Sequence, residues 1–176
     1  MSRIPLVQEK NMTAEQREQF DRFPSNLTRG LLLTEGRLSR ALPNLANALR
    51  SSGLDPKIRE GAILRVASLC NSAYERMQHE GQALKSGWSH TELDQIEAGD
   101  FSRLPVPFPA LFRFVDECVT RTRVSDETFS QARNTLSDRD VATLVLLVGH
   151  YMMVARFIAT LEIELDDEPD DWSTEH

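Results

Sequence analysis

Cysteine is scarce in this 176-residue chain: only Cys70 and Cys118 occur, 48 positions apart. Two thiols at that spacing provide neither a disulfide framework nor a four-ligand zinc pattern, and they suit a reducing compartment. Basic charge is also short. Twenty Lys and Arg face 27 Asp and Glu, for a net charge of -7, so no basic surplus exists to neutralise a run of phosphates. Neither nucleic acid nor an anionic membrane surface is an expected partner. Residues 166–176 carry six acids and no Lys or Arg, which leaves the rest of the chain close to neutral. Long apolar runs are missing too. The first ten residues lack the apolar stretch of a secretory signal. The longest apolar region, Val141 to Val148, includes Thr143 and falls far below the ~20 residues that span a bilayer. A soluble, cytoplasmic protein is expected.

Helix punctuation is frequent and strand alternation scarce, so the expected fold is all-α, a single-domain helical bundle. Thr13 and Gln16 have capping-box spacing before a short helix that ends near Phe23-Pro24. Leu38, Ala41, Leu42, Leu45 and Leu49 follow at helical spacing, with Pro43 expected to interrupt them. Asp55-Pro56 places Asp at an N-cap and Pro at the first helical position. Ser72/Glu75 and Ser89/Glu92 repeat the capping-box spacing. Pro105, Pro107 and Pro109 predict an extended connection over 101–109, followed by helices near 110–122, 126–135 and 138–165. The last is apolar on nearly every side in its first half, as expected at the centre of a bundle or across a subunit interface. The chain divides into an N-terminal helical extension (1–39), a helical domain (40–165) and an acidic, disordered tail (166–176).

Chemistry concentrates between Glu60 and His79. Glu75 and His79 are four apart, which on one helix puts them on one face with Cβ atoms about 6 Å apart. An imidazole with an ordinary pKa near ~6.5 takes or gives a proton at neutral pH, and a neighbouring carboxylate orients it. The plain alternative is that Glu75 caps its helix while His79 is a hydrogen-bonded surface residue. Glu60 lies on the preceding helix and meets His79 only if the two helices fold back on each other. Otherwise it is a first-turn glutamate complementing the macrodipole. Arg65, in an apolar stretch, either clamps a substrate carboxylate or pairs with an internal acid such as Glu60 or Glu75. Tyr74 either donates a hydrogen bond into a pocket or packs as an aromatic. Cys70 is a small residue at a helix end, where packing competes with reactivity. His150-Tyr151, on the long helix, is a further pair that can face the same cavity. H-x-x-x-H and H-E-x-x-H spacings are absent, so no metal is expected.

From Arg59-Glu60 through Ile63-Leu64-Arg65-Val66-Ala67, Tyr74-Glu75 and Gln78-His79, the sequence resembles the carboxymuconolactone decarboxylase and alkylhydroperoxidase family, and the resemblance extends over roughly residues 40 to 165. The peroxidase-like branch has a Glu, a C-x-x-C pair and a His four residues beyond the second cysteine. Glu60 and His79 fit that frame, but Ser72 and Glu75 stand at the cysteine positions. The lactone decarboxylases lack the cysteines and have Glu four residues before His, as Glu75 and His79 are here. The resemblance implies an all-helical domain that assembles as a trimer or hexamer, with its pocket near subunit contacts.

The resulting expectation is a cofactor-free lyase or isomerase acting on a small carboxylated or lactone metabolite. His79 is its general acid/base, Glu75 orients His79, Glu60 is a second proton carrier, and Arg65 and Tyr74 bind substrate. Two other classes remain beside it. One is an alkylhydroperoxidase-type antioxidant using Cys70; the other is a non-catalytic oligomeric binding protein.

Overall fold

Oxygen-bearing side chains set most of the helix starts. In the computed structural model, which describes residues 2–169, the helices among the described residues are α1 (Ala14–Arg22), α2 (Asn26–Leu31), α3 (Gly36–Arg50), α4 (Pro56–Leu69), α5 (Ala73–Lys85), α6 (His90–Ala98), α7 (Phe108–Thr120), α8 (Asp126–Arg133) and α9 (Asp138–Leu161). Thr13, Ser25, Asp55, Ser72, Ser89, Ser125 and Ser137 each accept a first-turn amide N–H, satisfying donors that a helix cannot pair internally. The boxes expected at Thr13/Gln16 and Ser89/Glu92 are complete in both directions. At Ser72/Glu75 only the hydroxyl does its part, accepting from the Glu75 amide. The Glu75 carboxylate is turned into the protein interior instead.

Helix α4 is the centre of the bundle. Residues 60–67 are all buried, and the helix is packed by α5, α6, α7 and α9. Gly61 permits a close approach to this helix, because a Cβ there would lie 2.9 Å from Trp88 and 3.0 Å from Phe112. Around α4 the main core gathers Ile63, Leu64, Leu111, Phe112, Leu144 and Leu147. The expectation that α9 is central is therefore met in part. By length and composition α9 passes for a membrane span, yet its inner face carries Val141, Leu144, Leu147, Val148 and Tyr151 into the core. Its outer face leaves Val145, Leu146 and Met153 exposed.

Three boundaries differ from the sequence expectation. Pro43 does not interrupt α3, which runs through it. Its missing N–H removes one bond to the preceding turn, and the helix is held by burying Leu49 in the main core and packing Leu42 against a second cluster of Tyr74, Val154, Ile158 and Ile163. The boundary drawn between residues 39 and 40 consequently falls inside α3. The connection 101–109 is not simply extended, since Phe101–Arg103 forms a 3₁₀ turn and α7 already begins at Phe108. Helix α9 stops at Leu161, where Glu162 takes a left-handed conformation with φ 50°. Of the segment assigned to a tail, Asp166 is anchored by side-chain hydrogen bonds from Tyr74 and Gln78 and by the Asn26 amide. Residues 170–176 lie outside the described residues.

Candidate active site

The turn between α4 and α5 brings the acid/base residues together. Asn71 adopts φ 52°, a left-handed conformation that Asn tolerates better than most residues, and it reverses the chain within Cys70–Ser72. Glu60 lies eleven residues before Asn71 and His79 eight residues after it, about 12–16 Å along helices rising ~1.5 Å per residue. They therefore meet side by side. The His79 Nδ1 lies 2.9 Å from Glu60 Oε2, and Glu60 Oε1 accepts from Arg59 Nε at 2.9 Å. Arg59 is fixed in turn by donating to the Arg50 carbonyl at 3.1 Å. On the other edge of the ring, Nε2 lies 3.6 Å from Glu75 Oε2. Tyr151 meets the His79 ring edge-on, with centroids 5.0 Å apart.

All three site residues are buried, with Glu60 and Glu75 4 % and His79 5 % exposed. Their surroundings drive the two carboxyls apart. Burial alone would raise Glu60, but the hydrogen bond and charge of His79, together with Arg59, bring its pKa below the ordinary value. Burial raises Glu75, opposed only by the His79 charge. Glu60 is thus the ionised partner that accepts the Nδ1 proton, while Glu75 is the carboxyl inclined to keep its own. The sequence expectation has Glu75 orient His79 and Glu60 carry a second proton, whereas the closer carboxyl in this arrangement is Glu60. Glu60 holds the Nδ1 edge of the ring at 2.9 Å, and Glu75 stands at the Nε2 edge, 3.6 Å away. The picture of Glu75 as a cap and His79 as a surface residue is excluded by their burial.

His79 Nε2 and Glu75 face a cleft enclosing about 620 Å³ of space, counted out to its open mouth. Phe23, Leu27, Leu31, Leu42, Pro43 and Val154 supply its apolar walls, and His150 stands with Glu75 and His79 at the polar end. Much of the wall thus comes from the N-terminal extension, whose role no local motif announced. No Lys or Arg is among the lining residues. A smaller space behind Glu60 is bordered by Arg50, Arg59, Leu147 and Tyr151. Among the described residues, no three His, Cys, Asp or Glu side chains are grouped as metal ligands.

The remaining candidates sit elsewhere or are already engaged. Arg65 does not reach the cleft. It donates to both Asp116 oxygens at 2.6 and 3.1 Å and to the carbonyls of Ile96 and Glu97, each at 3.0 Å. Its acid is Asp116, neither Glu60 nor Glu75, and the carboxylate-clamp expectation is corrected accordingly. Tyr74 lines the cleft, but its hydroxyl donates to Asp166 and accepts from the Leu27 amide at 3.3 Å. Tyr74 therefore supports the wall; its hydroxyl is not offered to substrate. Cys70 packs against the main core at the end of α4 and is not among the cleft-lining residues. Burial raises its thiol pKa, with Arg156 opposing, so nothing here activates it.

No family model matches the chain, and no curated protein matches it in sequence. Solved structures do match. One is a protein of unknown function from Agrobacterium tumefaciens, with a suggested antioxidant-defence role of the AhpD kind, 21% identical over 73% of this chain and 90% of that one, TM-score 0.66. Another is the alkylhydroperoxidase AhpD core of an uncharacterized peroxidase-related protein from Ralstonia eutropha JMP134, 17% identical over 94% of this chain and 93% of that one, TM-score 0.76.

Proposed function

The chain has the AhpD-like all-α fold, and on it we propose a cofactor-free lyase or isomerase of carboxymuconolactone decarboxylase-like character. The observation that carries this reading is the His79 ring held at Nδ1 by ionised Glu60, with Nε2 beside a proton-retaining Glu75 at the inner end of an apolar cleft. Nε2 accepts a proton from a carbon next to a carbonyl, and Glu75 delivers its own proton at the second carbon. Transfer from His79 back to the Glu75 carboxylate then restores both groups, so an isomerisation closes without any further reactant. In a carbon-carbon cleavage one fragment departs as a neutral carbonyl compound or CO₂, the Glu75 proton goes to the carbanion left on the other, and water returns a proton to the Glu75 carboxylate.

With no cation lining the cleft, a lactone or another uncharged carbonyl compound is favoured over a carboxylate buried beside Glu75. The exposed apolar outer face of α9 supports a homo-oligomer, a trimer or hexamer in keeping with the family resemblance. A cytoplasmic location completes the reading.

The test is deuterium uptake at carbon. The native chain is incubated in D₂O with a panel of lactones and ketones, and loss of the α-proton signal is followed by NMR. His79→Gln should slow exchange about 10²-fold or more; an unchanged rate would remove His79 from the chemistry. The hydroperoxidase reading draws support from the names of the structural neighbours. It requires hydroperoxide consumption, with a dithiol reductant, that disappears in a Cys70→Ser, Cys118→Ser double variant.

A further inference from the structure

We infer that His150 is a second working imidazole of the cleft, one that hydrogen-bonds the carbonyl oxygen of an uncharged ligand while His79 exchanges protons with the ligand's carbon skeleton. The inference builds on the acid/base reading for the nature of that ligand. His150 is carried by α9, is 4 % exposed, and lines the same cleft as Glu75 and His79. Its Nδ1 is buried and meets no hydrogen-bond partner among the described residues. Native structures seldom leave a buried polar nitrogen so, because it has lost water and gained nothing in return. A half-turn about Cβ–Cγ exchanges the places of Nδ1 and Cδ2, so the ring can present this nitrogen without moving its backbone.

Tyr151 keys both imidazoles. Its ring meets His150 edge-on at 5.0 Å and 86°, and His79 edge-on at 5.0 Å and 88°. Of the other polar groups at this end of the cleft, the Gln78 amide donates to Asp166 at 3.1 Å and Glu75 faces His79, while Asn47 is a further polar lining residue. Burial, and then the charge of His79, lower the His150 pKa to about 4. The ring is accordingly neutral at cellular pH, a poor base but a competent N–H donor to oxygen. A ring-sized ketone or lactone fits this arrangement, with its oxygen at His150 and its hydrocarbon body against Leu27, Leu42 and Val154.

The test uses the full chain labelled with ¹⁵N at histidine, with cyclopentanone as the probe and methylcyclopentane as the shape control lacking oxygen. Cyclopentanone should produce a saturable shift of a His150 ring-nitrogen signal, and methylcyclopentane should not. His150→Phe should weaken cyclopentanone binding about tenfold while leaving methylcyclopentane unaffected, and His150→Asn, which restores an amide N–H, should recover most of the loss. A His150 signal that stays fixed while the Leu42 and Val154 methyls titrate overturns the inference, as does the absence of any saturable shift. Failure of the acid/base reading is separately visible: His79→Gln would leave deuterium exchange intact while the oxygen-dependent shift at His150 persisted.

Discussion

Replacing Arg65 by Lys tests whether this buried cation holds the bundle together or serves a ligand. Its guanidinium makes four hydrogen bonds, two to Asp116 on α7 and two to the carbonyls of Ile96 and Glu97 in the last turn of α6. Those carbonyls are among the ones that α6 cannot pair internally, and a cation there also opposes the negative end of the helix dipole. Lysine keeps the charge but concentrates its donors at one point, so it reaches one or two of the four acceptors. Losing two or three bonds at ~1 kcal/mol each gives a destabilisation of about 2–3 kcal/mol. The side chain of Asp116 is 31% exposed and can turn to water, which keeps the loss below that of a fully buried broken pair. For a chain of this size that lowers Tm by roughly 5–10 °C. Urea and thermal unfolding followed by circular dichroism supply the stability, and deuterium exchange on the folded protein supplies the activity. An Arg65→Lys protein with its wild-type midpoint and lost exchange activity would refute the structural role and return the guanidinium to the ligand.

Glu75→Gln should stabilise the protein at pH 8 and lose that advantage near pH 4. Burial raises the folded pKa of Glu75 above an unfolded value of ~4.3, so above ~4.3 the folded state binds more protons and stability falls as pH rises through that window. Urea midpoints of both proteins at the two pH values measure the difference; an equal gap at both would show that Glu75 is not perturbed. Cys118 is pushed up to about 11 by burial and by the charge of Glu117, leaving about one thiolate in 10⁴ at pH 7. Iodoacetamide should therefore label Cys118 and Cys70 far more slowly in the folded chain than in urea, and rapid alkylation of folded Cys70 would restore the thiol reading.

Local punctuation was legible because its partners are three or four residues apart: Thr13 with Gln16, Asp55 before Pro56, Ser89 with Glu92. The Glu75 and His79 pair was legible for the same reason. What sequence left open depends on where helices land. Arg65 could be paired only with acids already in view, whereas its partner, Asp116, lies 51 positions away. The contrast between Glu60 and Glu75 follows from Arg59 and from the closer His79 contact that Glu60 has, neither of which spacing encodes. Pro43 misled because propensity is local, whereas the burial that carries α3 through it comes from α9 and the core. His150-Tyr151 could be named from sequence as a pair able to face the cavity, but only the fold puts them on the cleft with His79.

The hydrogen bonds at Asp166 also bear on the order in which the molecule assembles. Asp166 joins Asn26, 140 positions away, and Tyr74, 92 away, while Arg3 pairs with Glu162 across 159 positions. Closing such long loops is entropically slow relative to docking α4 on α5 across a three-residue turn. We expect the Glu60 and His79 contact to form early with its local helix pair, and the contacts of α2 and Asp166 to form late. If α2 and the Asp166 contacts act as a hatch, their brief opening would uncover the face that carries Glu75 and His79 without dismantling it. Amide exchange in α2 that is faster than global unfolding, with α4 and α5 protected to the global limit, is the signature of such a hatch.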